Sequence, residues 1–453
     1  GRLRDAGLVE RRPEAADVIV VNTCSVTAEA DRAARAFIRR ARRENPRARI
    51  LATGCYAQRA PTELASLPGV AAVIGNSHKA LAPQVALELA GFDRPVPMPL
   101  VTIPSILAGS SGPLVLADDR FAHSFLEEAR LQPGAQTRPN LKIQEGCGNR
   151  CSFCVIPQTR GSSRSLPAAA VLSQVKAFVA AGGNELVISG INLGRWGHDL
   201  DAMPGEPRPR LAALIRGILV GTALPRLRLS SIEPMDWDDE LITLMSQFGA
   251  SRLARHAHLP LQSGSDAVLR RMHRRYRPWH YGEKAAALLR AAGPHLTLGA
   301  DVMIGFPGET DREFEETLDF IRELPFGYLH LFPFSPRPGT RAWKLHEETP
   351  VPCDVVSERM AALRRLAAEK SQAHRERMVG VHLDAITLRT PAGLATVGRT
   401  SALTENFIPV EIEASLPANR LVRICPTGLN SEGFLVAAEA VAAAVHAAVP
   451  PVL

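Results

Sequence analysis

Six strand-like runs alternate with helical stretches between Asn140 and about Arg341, and this alternation is the strongest constraint on the fold. The runs are NLKIQEG, ELVISG, RLRLSS, HAHLPLQ, TLGADVMIGF and GYLHLFPF. Helical patterns such as PAAAVLSQVKAFVAAG and DREFEETLDFIREL separate them. Six βα units exceed one half of a doubly wound sheet and fall short of a complete eight-stranded barrel. The pattern therefore predicts a partial parallel barrel, with its chemistry at the carboxyl ends of the strands.

Different patterns flank the barrel. The runs ADVIVVNTC, ARILATGC and GVAAVIGN, with helices between them, predict a small parallel α/β domain, and a Pro/Gly-rich linker follows from Phe92. Short β runs from VHLDAITLRT to GFLVA predict a small antiparallel barrel, a size that often binds oligonucleotides. We expect an α/β protein divided into an amino-terminal domain, a linker, a barrel and a β module at residues 1–95, 96–137, 138–375 and 376–441.

Composition places few limits on function. The 453 residues carry 53 Lys+Arg and 46 Asp+Glu, so the net charge of +7 favours a polyanionic partner only weakly. Because no run approaches the roughly 20 apolar residues of a membrane span, and no signal core is visible, we expect a soluble, cytoplasmic protein. The chain opens at Gly1 inside a helical pattern, and we expect that its start is missing.

Three cysteines are crowded directly after the first barrel strand. Cys147, Cys151 and Cys154 follow a C-x3-C-x2-C spacing in KIQEGCGNRCSFCVIP. Three thiolates on one loop suit three irons of a 4Fe-4S cube and leave the fourth iron open to another ligand. A structural zinc site prefers four protein ligands, and no second cysteine pair lies nearby. The spacing favours an iron-sulfur site, and zinc or unrelated buried cysteines are the alternatives.

This spacing resembles that of the radical S-adenosylmethionine (SAM) superfamily. The resemblance implies that the open iron is chelated by SAM, whose reductive cleavage gives a 5′-deoxyadenosyl radical. Gly183 and Glu185, before the second strand, resemble the superfamily's Gly-Gly-Glu-like element, which meets the amino group of the cofactor. A tight helix-to-strand turn would use the same glycine.

Polar residues at other strand ends are further candidates for cofactor contact. Glu233 and Gln262 follow the third and fourth strands, and Ile304 ends the fifth, where backbone atoms could approach adenine. The alternative for all three is a solvent-exposed loop. His256 and His258, on the fourth strand, are expected to be structural.

The motifs VNTCSVT and TGCYAQ extend the resemblance to the methylthiotransferases over almost the whole chain. The resemblance implies an amino-terminal domain with a second 4Fe-4S cluster, a radical SAM barrel and a TRAM barrel that binds RNA. Cys24 and Cys55 would be ligands of the second cluster, while its third cysteine motif is absent. Loss of that cluster and an apolar core role for the two cysteines are the alternatives.

The wording of several motifs is most similar to the branch that acts on threonylcarbamoyladenosine in tRNA. These motifs include SGINLG, LRLSSIEP and HLPLQSGSDAVLRRMHRRY. The resemblance implies addition of a methylthio group to carbon 2 of that nucleoside, 3′ of the anticodon. It also implies an electron donor protein and a sulfur source. The alternatives are isopentenyladenosine in tRNA, an aspartate of a ribosomal protein, or a non-catalytic, metal-stabilised RNA-binding protein.

A basic segment with aromatic residues is the candidate RNA-binding surface. Tyr276 and Trp279 are interleaved with basic residues in RRMHRRYRPWHY, and such a pattern suits phosphate neutralisation and base stacking. A solvated helix face is the alternative. The candidate arginines are Arg270, Arg271, Arg274, Arg275 and Arg277.

Overall fold

The computed structural model describes residues 3, 7–91, 112–119, 121, 137–202 and 208–443. Most of the expected linker, residues 96–137, therefore lies outside the described residues. The chain divides into two compact units. The first contains Gly1–Glu127, Gly146–Ser162 and Ser335–Lys344, and the second contains Glu128–Glu145, Ser163–Phe334 and Leu345–Leu453. The three-cysteine loop thus groups with the amino-terminal unit, although the sequence places it within the barrel domain.

The first unit is built on a parallel sheet in the order β1-β2-β3-β4. Its strands are β1 (Val18–Thr23), β2 (Arg49–Gly54), β3 (Val70–Gly75) and β4 (Leu114–Leu116). Its helices are α1 (Ala28–Glu44), α2 (Cys55–Arg59), α3 (Pro61–Ala65), α4 (Ala82–Leu89) and α5 (Ile156–Arg160), with 3-10 turns at Pro13–Ala15 and Asn76–Leu81. Helix α1 begins where the Thr27 side chain accepts a hydrogen bond from the amide of Ala30, and its buried residue Ile38 packs on Ile50 and Tyr56 in the core.

The second unit contains all six predicted barrel strands. They are β5 (Asn140–Glu145), β7 (Glu185–Gly190), β8 (Arg226–Leu229), β9 (His256–His258), β10 (Thr297–Ile304) and β11 (Phe326–Pro333), with the short β6 (Arg164–Ser165) antiparallel to β5. The other ladders are parallel and form two sheets, β6-β5-β7-β8 and β11-β10-β9. An isolated parallel bridge links Leu227 of β8 to Leu253, which precedes β9. The partial barrel is confirmed, with a seam between β8 and β9.

Helices cover the barrel strands, and local signals set their ends. The amino end of α11 is a capping box, in which Thr310 and Glu313 exchange side-chain to backbone hydrogen bonds of 2.9 and 3.3 Å. No helix in the described part of the chain is long and apolar enough to cross a membrane. The helices are α6 (Ala168–Ala180), α7 (Leu211–Gly221), α8 (Asp239–Phe248), α9 (Asp266–Arg271), α10 (Pro278–Ala292), α11 (Asp311–Glu323), α12 (Arg341–Glu348) and α13 (Cys353–Glu376).

The carboxyl-terminal segment folds as a seven-stranded sheet in the order β16-β17-β14-β13-β12-β15-β18. Its pairs are antiparallel, as the sequence predicts, except that β14 and β17 are parallel. The strands are β12 (Leu383–Thr387), β13 (Thr400–Thr404), β14 (Pro409–Ile412), β15 (Leu421–Ile424), β16 (Gly428–Leu429), β17 (Leu435–Ala437) and β18 (Ala440–Ala442), and helix α14 is Ala392–Thr396.

The sequence suggests that this β module is separate from the barrel. In the structure, however, the module shares buried contacts with the barrel. The Glu405 carboxylate, on the β13–β14 turn, accepts hydrogen bonds from the Arg255 amide at 3.1 Å and from its Nε at 2.9 Å. The Phe407 ring lies 4.4 Å from that of His256 on β9. The barrel and the β module therefore belong to one compact unit.

Candidate metal and cofactor sites

The three-cysteine loop connects β5 to α5 in the sequence and carries half-buried thiols. The Asn149 amide lies 3.4 Å from Cys147 Sγ, and the Ile156 amide lies 3.4 Å from Cys154 Sγ. Amide donors stabilise the charge of a thiolate, and they are among the features that tune the potential of iron-sulfur clusters. The loop therefore presents thiols with the hydrogen bonds that cluster ligands use.

Backbone contacts fix the shape of this loop. The Cys147 amide donates to the Gly161 carbonyl at 3.1 Å, and the Cys154 amide donates to the Cys151 carbonyl at 3.2 Å. Gly146 has φ of +72°, and a Cβ there would collide with the Ser162 carbonyl oxygen. Glycine is therefore required where the chain enters the loop.

Cys24 and Cys55 follow two paired residues of neighbouring strands. Thr23 and Gly54 are register partners at the carboxyl ends of β1 and β2, so Cys24 begins the loop after β1 and Cys55 begins α2. Cys24 is exposed, whereas Cys55 is buried. The placement at neighbouring strand ends agrees with the sequence analysis, and the role of these cysteines as ligands stays a prediction.

Asn76 is a residue that the sequence analysis missed. Its Nδ2 atom lies 3.4 Å from Cys55 Sγ and donates to the Thr159 carbonyl at 2.9 Å. Asn76 therefore links Cys55 to α5, the helix that follows the three-cysteine loop. The signal was available, because Asn76 directly follows β3 and a polar residue at the carboxyl end of a parallel strand marks a site.

A buried ion-pair network holds the loop that contains Cys24. Asp31 is 5% exposed and binds Arg59 Nη2 and Arg337 Nη1, each at 2.7 Å. Arg59 Nε also donates to Ser25 Oγ at 2.8 Å. The residue next to Cys24 is thus anchored through Arg59 to α1.

We expect Asn76→Ala to lower the free energy of unfolding of the amino-terminal unit by about 1–3 kcal/mol, because the buried Thr159 carbonyl loses its donor. The thiol of Cys55 should also react faster with a thiol-specific reagent in cluster-free protein. Gln84→Ala, which removes an amide paired with Glu88 within α4 at 3.2 Å, is the matched control. Equal labelling rates of Cys55 in wild type and Asn76→Ala would contradict a contact between Asn76 and the Cys55 thiol.

The donor chemistry of these residues fits iron-sulfur clusters. None of the seven cysteines, all of which lie within the described residues, is in a disulfide, and soft thiolates are the protein ligands that such clusters prefer. Cys147, Cys151 and Cys154 would hold one cluster, and Cys24 and Cys55 would supply two ligands of a second.

Gln262 has the most unusual backbone among the strand-end candidates. Its φ is +66°, while its amide and carbonyl bond to Asp301 and Met303 of β10 at 2.7 and 2.9 Å. Its side-chain Oε1 is buried and lacks a hydrogen-bond partner in the described structure. A residue held in this uncommon conformation, with an unsatisfied acceptor, is a candidate for ligand contact.

Glu233 and Ile304 are more strongly engaged within the protein. The Glu233 carboxylate lies 3.2 Å from Arg274 Nη1 and 3.5 Å from Arg275 Nη2. Ile304 is buried at the end of β10, and its carbonyl accepts from the Phe334 amide at 2.8 Å. Both lie on the carboxyl side of their strands, and their contact with a cofactor stays a prediction.

The expectation for Gly183 and Glu185 needs correction, because both lie at the amino end of β7. A Cβ at Gly183 would collide with the Phe178 ring, so this glycine serves the helix-to-strand turn. Glu185 is fully buried and binds Arg228 Nε at 3.0 Å and Arg226 Nη1 at 3.7 Å. Burial alone would raise the pKa of Glu185, but Arg228, Arg226 and Arg138 lower it, so this carboxylate is part of a structural ion-pair network.

The candidate RNA-binding arginines also have acidic partners within the protein. Arg271 binds Glu313, Arg274 and Arg275 bind Glu233, and Arg270 and Arg277 bind Asp266. Tyr276 is fully buried and donates to backbone carbonyls at 2.7 and 2.8 Å, so the expectation that it stacks on bases is wrong. Arg270, at 62%, has the largest exposed side-chain fraction of the five, and Trp279 is also exposed.

Comparison with known proteins assigns the family. Residues 141–321 match the Radical SAM superfamily, and residues 1–75 match a group described as Uncharacterized protein family UPF0004. The threonylcarbamoyladenosine tRNA methylthiotransferase MtaB of Aquifex aeolicus is 34% identical over 412 residues, which cover 90% of each chain. The protein belongs to the radical SAM methylthiotransferase family. Membership implies SAM and 4Fe-4S clusters as cofactors, in agreement with the sequence analysis.

Further relatives span two named activities. MtaB of Bacillus subtilis is 36% identical over 348 residues, covering 76% of this chain and 71% of that protein. The tRNA-2-methylthio-N(6)-dimethylallyladenosine synthase of Sorangium cellulosum is 34% identical over 401 residues, covering 83% and 76%. The radical SAM methyltransferase TsrM of Kitasatospora setae has a TM-score of 0.52 at 14% identity over 73% of this chain and 67% of that chain. This last similarity confirms the fold alone.

Proposed function

We propose that this enzyme adds a methylthio group to carbon 2 of threonylcarbamoyladenosine, 3′ of the anticodon in tRNA. The observation that carries the proposal is similarity over 90% of each chain to a methylthiotransferase named for that nucleoside. Cys24, Cys55 and the three cysteines of the loop, none of which is in a disulfide, supply the ligand chemistry that the reaction needs.

The cysteines have separate roles in the proposed reaction. When bound, the clusters and SAM supply the radical, the inserted sulfur and the methyl group. Cys147, Cys151 and Cys154 would hold the cluster that binds SAM, and backbone amides donate hydrogen bonds to Cys147 Sγ and Cys154 Sγ. Cys24 and Cys55 hold the sulfur-carrying cluster, with Asn76 orienting Cys55.

The strand-end residues bind the cofactor in this proposal. Gln262 presents its buried Oε1 to a hydroxyl or amino donor of SAM, which would satisfy an acceptor that has no partner within the described protein. Glu233 contacts the cofactor with its carboxylate, which Arg274 and Arg275 hold in one orientation. Ile304 supplies backbone atoms that approach the adenine at the end of β10.

The remaining assignments belong to the same proposal. The RNA partner is a tRNA anticodon loop, and the reaction draws on an electron donor protein and a sulfur source in the cytoplasm. We keep the functional domains expected from the sequence, at 1–95, 138–375 and 376–441 with a linker at 96–137, and change only the assignment of the three-cysteine loop. The three-cysteine loop folds with the amino-terminal unit.

We expect Arg270→Ala to weaken tRNA binding with little loss of stability, because its side chain is 62% exposed. The slope of log affinity against log salt should fall by about 1, as for the loss of one phosphate contact. Arg274→Ala should instead destabilise the fold, because Arg274 is 6% exposed and its pair with Glu233 is largely buried. An unchanged salt slope in Arg270→Ala would remove this segment from the RNA surface.

The proposed function is tested with anaerobically reconstituted enzyme, SAM, a reductant and tRNA from cells that lack methylthio modification. One tRNA carries threonylcarbamoyladenosine and the other carries isopentenyladenosine. The expected result is the methylthio product on the first tRNA only, detected by mass spectrometry of nucleosides. Product on the isopentenyladenosine tRNA alone would overturn the substrate assignment.

Bound zinc without SAM cleavage would favour a non-catalytic RNA-binding protein. Cys353→Ala, which replaces an exposed thiol outside the candidate ligands, is the control for Cys151→Ala.

A further inference from the structure

Three adjacent parallel strands bring two histidines and an aspartate together. His258 ends β9, Asp301 lies on β10, and His330 lies on β11 directly opposite Asp301. His258 Nε2 is 3.2 Å from Asp301 Oδ2, and His330 Nδ1 is 3.3 Å from Asp301 Oδ1. One ligand atom from each residue lies within 4.8 Å of the other two. We refer to these residues as the His-Asp-His cluster.

We propose that the His-Asp-His cluster binds a divalent first-row transition-metal cation, distinct from the iron-sulfur clusters. Two histidines and one carboxylate with open positions form the ligand set of non-haem ferrous sites, and imidazole also suits zinc and cobalt. The proposal does not depend on the nucleoside that the enzyme modifies.

The separations between ligand atoms fit a shared cation. Ligand atoms about 2.1 Å from one ion, at angles between octahedral and tetrahedral values, are about 3.0–3.4 Å apart. The distance from His258 Nε2 to Asp301 Oδ2 and the distance from His330 Nδ1 to Asp301 Oδ1 both lie in this range, as they would if both carboxylate oxygens faced the cation. A charge-assisted hydrogen bond is shorter, about 2.7–2.9 Å. The spacing therefore suits a common metal better than two optimised imidazole-carboxylate hydrogen bonds.

Tyr328 orients the histidine that lies deepest. Its hydroxyl is 2.9 Å from His258 Nδ1 and 2.8 Å from His256 Nε2, so the other ring nitrogen of His258 points towards Asp301. Metal-binding histidines characteristically use their second nitrogen in such a hydrogen bond. A Cβ at Gly299 would overlap the Tyr328 ring, so this glycine provides the space for the orienting side chain.

The hydrogen bonds of Tyr328 are compatible with metal binding by His258. A phenol oxygen can accept one hydrogen bond while its own O–H donates another. The Tyr328 hydroxyl can therefore accept a hydrogen bond from His258 Nδ1, when Nε2 binds a metal, and donate to His256 Nε2.

The site is open to solvent on one side. The side chain of His258 is 6% exposed, whereas those of Asp301 and His330 are 28% and 63% exposed. A cation can therefore enter without unfolding of the barrel, and positions not filled by protein can hold water or a nitrogen or oxygen ligand.

The test uses the full chain with reconstituted clusters, stripped of loosely bound metal by a chelator and desalted. Mn²⁺ is titrated in, and free Mn²⁺ is measured by its electron paramagnetic resonance signal. Wild type should bind one Mn²⁺ per chain in this cluster. Asp301→Asn and His330→Ala should each weaken binding at least tenfold, and Tyr328→Phe should weaken it about 10–100-fold, as for the loss of a partner that orients a ligand. His382→Ala, which removes an exposed imidazole outside the cluster, should bind as wild type.

Competition with Co²⁺ and Zn²⁺ completes the test, because the cluster could prefer a cation other than manganese. Absence of saturable binding for all three cations in wild type would overturn the proposal. Equal affinity in wild type and in His330→Ala would also overturn it. The exposed position of His330 keeps this variant informative if Asp301→Asn does not fold.

Discussion

Replacement of Glu185 by glutamine is expected to lower the free energy of unfolding of the barrel unit by about 3–5 kcal/mol. Glu185 is fully buried, and Arg226 and Arg228 beside it are 3% and 2% exposed. Without the carboxylate, two guanidinium groups stay charged in a region that excludes water, because arginine does not deprotonate in proteins. Breaking a buried pair from one side costs more than an average contact contributes.

Urea unfolding followed by tryptophan fluorescence measures this effect, since Trp196, Trp237 and Trp279 all lie in the barrel unit. Glu240→Gln is the matched control. Glu240 pairs with Arg216 at 3.5 Å on the surface, with both side chains more than 40% exposed, so its loss should cost less than about 1 kcal/mol. The double variant Glu185→Gln/Arg228→Met should recover part of the stability, because it removes one uncompensated charge. A loss below 1 kcal/mol in Glu185→Gln would mean that the arginines find other partners.

Glu185 also shows which features could not be predicted from the sequence. The apolar runs predicted every barrel strand, because strands buried on both faces are nearly continuous in Val, Ile and Leu. The position of Cys24 and Cys55 at neighbouring strand ends followed from the same parallel order. The cofactor role expected for Glu185 is not supported because Arg138, Arg226 and Arg228 surround its carboxylate, and these arginines lie on other segments, which the pattern before β7 does not reveal.

The register between β10 and β11 explains why the His-Asp-His cluster could not be predicted from the alternation of strand and helix patterns alone. The pairing of β10 with β11 shifts between Leu298 and Gly299, and this irregularity places Asp301 opposite His330. A one-residue change in register turns a side chain to the other face of a sheet. Likewise, the arginines after β9 looked available for RNA because their partners, Glu233 and Glu313, lie on other loops and helices.

Removal of residues 383–443 is expected to unfold the barrel, rather than leave a barrel that still cleaves SAM. Three barrel arginines lose partners that the β module supplies. Arg228 donates to the Thr404 carbonyl at 3.2 Å, Arg226 lies 3.8 Å from Asp384, and Arg255 binds Glu405 through its amide and guanidinium. Arg226 and Arg228 are almost fully buried, and after truncation they would share Glu185 as their remaining acidic partner, which leaves an excess of buried positive charge.

A single substitution tests the same contact without deleting a domain. Glu405→Gln is expected to cost about 3–5 kcal/mol and to reduce SAM cleavage in proportion to the unfolded fraction, because Glu405 is 1% exposed and pairs with Arg255. Glu413→Gln, at an exposed pair with Arg399, should change stability by less than about 1 kcal/mol.

RNA binding by the module is measured separately with Arg389→Ala/Arg420→Ala, which alters exposed residues. This variant should lose tRNA affinity and keep SAM cleavage.

The truncation has an outcome that would contradict the expected unfolding of the barrel. If the truncated chain is folded, as shown by a cooperative unfolding transition, and still forms 5′-deoxyadenosine, the barrel does not need the β module. The buried contacts between the two would then stabilise only the module itself.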